Sequence, residues 1–141
     1  MYDLKLQVRS SFRTEMFAAG LYYTLAKQYG KNDRKLSQKL KEASEQEQMH
    51  GRMFRQFYSS RFGEDAGSEK VWLAFGRFAA RMIRPVPLEK KLKALSKKES
   101  AAVAKIEERL MYNDDPSFLR ILSRILPDEK SHAAIYSEVF A

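Results

Sequence analysis

Four long segments of the sequence repeat apolar residues at alternating spacings of four and three, and each repeat contains one glutamate near its middle. Such spacings place residues on one face of an α-helix. A buried carboxylate is rare without a partner, because its removal from water costs several kcal/mol. The pattern therefore predicts four helices whose buried faces share a positively charged group. The four glutamates are Glu15, Glu47, Glu99 and Glu129.

Long apolar repeats with short connections between them predict an all-α fold, and specifically an antiparallel four-helix bundle. A shorter helix is predicted over residues 69–84, between the second and third long helices, and Asn113 and Asp114 are predicted to end the third. A length of 141 residues predicts one domain over 1–141. The long helices are predicted over residues 3–29, 33–62 and 87–112, and from 115 to the C terminus.

Both histidines of the chain follow one of these glutamates by three positions, in Glu47–His50 and Glu129–His132. Residues at this spacing lie on one face of a helix and can bind one metal ion. Glu47 comes 32 positions after Glu15, and Glu129 comes 30 positions after Glu99. Each half of the chain is therefore predicted to be a helical hairpin that returns to the same height.

The predicted metal ligands are four carboxylates and two imidazoles. Oxygen and nitrogen donors together favour iron or manganese, and the absence of cysteine excludes thiolate zinc and iron–sulfur sites. The sequence therefore predicts two divalent metal ions. Their predicted ligands are Glu15, Glu47, His50, Glu99, Glu129 and His132.

Over nearly its whole length, this arrangement resembles the ferritin-like di-iron carboxylate superfamily. The resemblance implies a ferritin-like bundle in which Glu15 and Glu47–His50 surround one iron, and Glu99 and Glu129–His132 surround the other. It further implies that Glu47 and Glu129 bridge the two ions. The cofactors implied are two Fe ions, with Mn as the alternative.

Within the superfamily, the ligand set is similar to that of the demethoxyubiquinone hydroxylases, and also to that of the tRNA hydroxylases. Rubrerythrins have an extra glutamate beside the third helix's ligand, where this chain has Ala102. The resemblance implies an oxidoreductase that activates O₂ or peroxide, supplied by an external electron donor. The preferred substrate is apolar and quinone-like. The alternatives are a rubrerythrin-like peroxidase or ferroxidase, an iron-binding ferritin-like protein, and a tRNA hydroxylase.

The short helix is predicted to be amphipathic. Its apolar face indicates one of two roles: contact with a membrane surface, or a lid that covers either the bundle or a second copy of the chain in a homo-oligomer. Arginines are predicted on the opposite face. The net charge of +8 leaves nucleic acid open, but the basic run 89–98 contains no aromatic side chain for base stacking. The predicted location is cytoplasmic, at the periphery of the inner membrane. The predicted apolar face consists of Trp72, Phe75, Gly76, Ala79, Met82 and Ile83.

Three further residues bear on the predicted site. Tyr22 and Tyr136 lie on inward stripes and either pack in the core or support the metal ligands. Pro127 lies two residues before Glu129. Because proline removes a helical hydrogen bond, it is predicted to kink the last helix, and either to re-aim Glu129 or to split the helix.

Overall fold

Helices account for the regular structure of residues 3–112 and 115–140, which are the parts of the chain that the computed structural model describes. No β-strand occurs within these residues, so the predicted all-α class is confirmed. The break predicted at Asn113 and Asp114 lies outside the described residues. The helices are α1 (Leu4–Tyr29), α2 (Arg34–Phe62), α3 (Glu69–Met82), α4 (Leu88–Met111), α5 (Pro116–Ala133) and α6 (Ile135–Phe140).

Side chains at the N-terminal boundaries fix where four of these helices begin. Asp33, for example, accepts a hydrogen bond from the N–H of Leu36, which has no partner within the helix. Such a cap typically contributes about 1 kcal/mol. The capping residues are Asp3, Asp33, Ser68 and Asp115.

The chain forms two compact units, residues 1–84 and residues 85–141. The prediction of one domain over 1–141 stays a prediction. In the N-terminal unit, α1 packs against both α2 and α3. Two serine hydroxyls of α2 donate to carbonyls of α1: Ser37 to Ala26, and Ser44 to Ala19. As the α2 residue advances by seven, the α1 residue retreats by seven, so the two helices are antiparallel.

The contact between α1 and α3 is made by backbone at two glycines. A Cβ on Gly76 would lie 2.0 Å from the carbonyl oxygen of Phe17, and a Cβ on Gly20 would lie 2.1 Å from that of Leu73. Ala80 is fully buried on the same side of α3. Only residues without a bulky side chain allow two helices to approach this closely.

This contact corrects the predicted apolar face of the short helix. Phe75 and Met82 were predicted to share a face with Gly76, but Gly76 is buried and both of the larger residues are exposed. The physical reason is that the small side of α3 packs against α1, which turns the larger side chains away from that contact.

Charged residues tie the connection between α2 and α3 to α2. Gly63 ends α2 in the left-handed conformation, at a φ of 68°, which glycine adopts without strain. The Arg55 guanidinium donates to both carboxylate oxygens of Asp65, at 3.0 and 2.9 Å. At the start of α3, Glu69 accepts hydrogen bonds from Arg52 and Gln48. These contacts fix the direction in which α3 leaves α2.

In the C-terminal unit, α4 packs against α5 and α6. The last long helix was predicted to run to the C terminus, but it is interrupted at Ala134, between α5 and α6. The interruption does not occur at Pro127, which lies inside α5. The Ser96 hydroxyl of α4 donates to the carbonyl of Ala133 at this interruption. None of the helices within the described residues is long and apolar enough to span a bilayer.

Candidate metal centre

Three of the predicted ligands meet inside the N-terminal unit, between α1 and α2. The Nδ1 atom of His50 lies 3.5 Å from Oε1 of Glu47 and 3.7 Å from Oε2 of Glu15. Glu47 and His50 are 2% and 1% exposed, and Glu15 is largely buried. The helical spacing of α2 brings Glu47 and His50 to one face, and the antiparallel packing of α1 supplies Glu15.

The other three predicted ligands meet inside the C-terminal unit. Glu99 belongs to α4, while Glu129 and His132 belong to α5, and all three are buried. Each offers one ligand atom, and these atoms lie within 4.8 Å of one another. Each helical pair therefore contains a buried cluster of two carboxylates and one imidazole, as the two repeats in the sequence predicted.

The donor atoms of both clusters fit iron or manganese. Two ligand atoms bound at about 2 Å from one ion must lie within about 4 Å of each other. The distances from His50 to Glu15 and Glu47 satisfy this limit. Carboxylate oxygens also offset the positive charge of a divalent ion. A bound cation would in turn offset the cost of burying these carboxylates.

The two pairs of Glu-x-x-His ligands differ in their positions along their helices. Glu47 and His50 lie near the middle of α2, whereas Glu129 and His132 lie within the last five residues of α5. The C-terminal end of a helix carries partial negative charge, which favours a nearby cation and disfavours an uncompensated carboxylate. A bound cation would therefore stabilise the second cluster more than its composition alone suggests.

The alanines three positions after Glu15 and Glu99 and the two tyrosines on the inward stripes differ in how deeply they are buried. Ala18 and Ala102 are half-buried. Tyr22 is buried in α1. Tyr136 is half-buried in α6, and its hydroxyl donates to the exposed Glu89 of α4. Of the two tyrosines, Tyr22 is therefore the one whose side chain lies wholly in the protein interior.

A sequence model of rubrerythrin matches residues 7–140, which is almost all of the chain. The chain belongs to the rubrerythrin family. Comparison with curated proteins and with solved structures gives no match. The rubrerythrin family is a ferritin-like di-iron carboxylate family, so the resemblance predicted from the ligand pattern is confirmed. The ferritin-like helical fold is confirmed with it.

Membership of the rubrerythrin family bears on the interpretation of Ala102. Ala102, in place of the extra glutamate, favoured the quinone hydroxylases, and the family match does not support that preference. Rubrerythrin family members are di-iron proteins and are typically oxidoreductases. The roles of the six residues as metal ligands stay predictions.

Two serines beside the ligands were not found from the sequence. Ser44 lies three residues before Glu47 and donates to the carbonyl of Ala19, four residues after Glu15. Ser96 lies three residues before Glu99 and donates to the carbonyl of Ala133, four residues after Glu129. Both distances are 2.7 Å. In each unit of this rubrerythrin family member, the same kind of bond therefore holds the two helices that contain the predicted ligands in register. The only sequence signal was a serine three positions before a stripe glutamate.

Proposed function

We propose that the six clustered residues hold two iron ions and that the chain is a di-iron oxidoreductase that reduces peroxide or O₂. The observation that carries this proposal is the pair of clusters, each with two carboxylates and one imidazole within 4.8 Å. Manganese has the same donor preferences and is the alternative metal. The bridging role of Glu47 and Glu129 follows from the family resemblance alone.

A pair of ferrous ions held there would supply two electrons, one from each ion, which with two protons would reduce one peroxide to two waters. The chain's own residues position the metals. His50 Nδ1 faces both Glu15 and Glu47, so the imidazole would bind through that nitrogen. Burial of the ligands limits the access of water, and thus of competing ligands.

Repeated turnover requires that the ferric ions be reduced again. An external electron donor is therefore part of the proposal, as a redox protein or a small reductant. Assembly as a homo-oligomer was predicted from the sequence and remains compatible with this activity. The remaining candidate function, hydroxylation of tRNA, is supported only by the net charge of +8.

Hydroxylation of an apolar, quinone-like substrate is the second candidate. The observation in its favour is a set of exposed apolar side chains on α3, in the same unit as Glu15, Glu47 and His50. An apolar substrate would need such a surface near its route to the metals. Family membership is compatible with peroxide reduction and gives no support of its own to hydroxylation.

The test begins with metal analysis of protein purified without chelator, followed by anaerobic loading with ferrous iron. We expect roughly two iron ions per chain. Stopped-flow oxidation by hydrogen peroxide should consume about one peroxide for every two ferrous ions, because each ferrous ion gives up one electron. A product assay with a soluble quinone analogue and O₂ distinguishes the second candidate.

Matched variants assign the result to the site. Glu47→Gln should lower iron content, while Glu45→Gln, at an exposed position of the same helix, should not. Equal iron content in both variants would contradict the ligand assignment. Failure to bind iron or manganese would overturn the proposal, and slow oxidation by peroxide with hydroxylated quinone as product would replace the first candidate with the second.

A further inference from the structure

Four large apolar side chains form an exposed stripe along α3, on the side that the contact with α1 leaves open. Their exposed fractions range from 47% to 65%, which is high for side chains of this size. Spacings of four, three and four place them on one face of the helix, over about 17 Å at 1.5 Å per residue. We call Val71, Phe75, Phe78 and Met82 the α3 apolar stripe.

The orientation of this stripe is fixed by backbone packing. A rotation of α3 would move Gly76 away from the Phe17 carbonyl and bring a larger side chain against α1. Glu69 further anchors the start of α3 through Arg52 and Gln48 of α2. The exposure of the stripe is therefore a property of the packed helix, and the side chains cannot turn inward without breaking the α1–α3 contact.

Cationic side chains lie on the adjacent exposed face of α3. Arg81 is the nearest of them to the stripe around the helix, and Arg77 extends over the ring of Tyr23. Arginine and lysine beside an apolar stripe can reach anionic headgroups while the apolar side chains enter the acyl boundary. The exposed cations of this segment are Lys70, Arg77, Arg81 and Arg84.

We propose that the α3 apolar stripe and its adjacent cations dock the protein on the surface of an anionic lipid bilayer. Charge complementarity favours a bilayer over a second copy of the chain as the partner that covers this surface. An anionic bilayer attracts the net charge of +8, whereas a second copy of the chain would bring the same cations together. The proposal concerns a surface outside the metal clusters and does not depend on the reaction performed there.

Co-sedimentation with lipid vesicles tests this surface. The probes are vesicles of phosphatidylcholine alone, and vesicles in which about a third of the lipid is phosphatidylglycerol. We expect the iron-loaded wild-type chain to bind the anionic vesicles at least about 10-fold more tightly, and to be released by salt, since the attraction is screened within a Debye length.

A double variant, Phe75→Ser with Phe78→Ser, should weaken binding to the anionic vesicles by about 10-fold or more. The matched control is Leu6→Ser with Met49→Ser, which removes two exposed apolar side chains of the same unit that lie off the stripe. This control should stay within about 2-fold of wild type. Both variants should retain their circular dichroism and iron content, because the altered side chains are exposed.

Three results would overturn the proposal. The first is no binding of wild type to anionic vesicles, and the second is equal binding to neutral vesicles. The third is equal weakening by the two double variants. Sedimentation velocity without lipid adds one more arm: a wild-type dimer that Phe75→Ser with Phe78→Ser dissociates would identify a second copy as the occupant and replace the bilayer.

Discussion

The two helical pairs contain the same ligand types at the same spacings, but their surroundings differ. In the N-terminal unit, Glu47 and His50 lie well inside an unbroken 29-residue helix, and α3 packs against α1. In the C-terminal unit, Glu129 and His132 lie at the end of an 18-residue helix that contains Pro127. Ligand spacing therefore specifies which atoms meet, while the length and continuity of each helix specify how firmly they are held.

Metal removal should separate the two pairs most clearly. Helix ends open more readily than helix centres, so the last turn of α5 should depend on a bound ion more than the middle of α2 does. On iron loading, we expect amide hydrogen exchange to slow by about 100-fold over residues 129–133, and by much less over 47–51. Mass spectrometry of the iron-free and loaded chain measures both segments. Equal protection in both would mean that position along the helix has no effect.

The α1–α3 contact, which belongs to the N-terminal unit, should respond strongly to one methyl group. In Gly76→Ala the new Cβ meets the backbone carbonyl of Phe17, which cannot move aside, so we expect a loss of about 2 kcal/mol in unfolding free energy. Gly51→Ala is the matched control, because its Cβ meets the flexible end of Met16 at 2.6 Å. Denaturant titration that ranks Gly51→Ala as the more damaging change would contradict the packing described.

The serine bonds should show whether both pairs depend on the same register contact. Ser44→Ala and Ser96→Ala each remove one bond between helices, at a cost of about 1 kcal/mol. Ser37→Ala removes a similar bond to Ala26, far from the ligands, and serves as the control. We expect similar losses of stability in all three, with weaker ferrous iron binding only in the first two. Unchanged iron affinity in Ser44→Ala would reduce its role to stability alone.

The smallest expected effect concerns the connection after α2. The Arg55 guanidinium, followed by the N–H of Gly67, lowers the pKa of Asp65 from 3.8 to about 2. Because the folded pKa is the lower one, this contact stabilises the fold fully above about pH 4, and the contribution is lost as pH falls toward 2. NMR titration of the carboxyl carbon should give the low value, and Arg55→Gln should raise it. A pKa near 3.8 in the wild-type chain would contradict the ion pair.

The sequence alone was sufficient for the all-helical class and for bringing the six residues together in two groups of three, while their role as metal ligands stays a prediction. Periodicity identifies buried faces, and Glu47–His50 is a local spacing that any regular helix reproduces. The hydrogen bonds that join each Glu-x-x-His helix to its neighbouring helix were harder to predict. Ser44 and Ser96 resemble ordinary polar residues, since a side-chain bond to a carbonyl on another helix depends on packing that no local pattern encodes.

The structure differs from the sequence-based prediction in the rotation of α3 and in the position of the break in the last helix, and both differences arise from packing. The rotation of α3 depends on Gly20 and Gly76 meeting the opposite backbone, and glycine in a helix reads locally only as a weak helix former. The last helix continues through Pro127 and breaks at Ala134 instead. An internal proline lowers the stability of a helix, but packing determines where the helix is interrupted.

The glycine contact also affects how freely the outer surface of α3 can change. Since main-chain atoms form the closest approach at Gly20 and Gly76, the exposed side chains of the α3 apolar stripe take no part in that contact. Its exposed positions could therefore accumulate substitutions, or accept a designed epitope, while the ligand-bearing helices stay undisturbed. A scaffold of this kind would let the outer surface of α3 vary without moving the buried cluster of Glu15, Glu47 and His50.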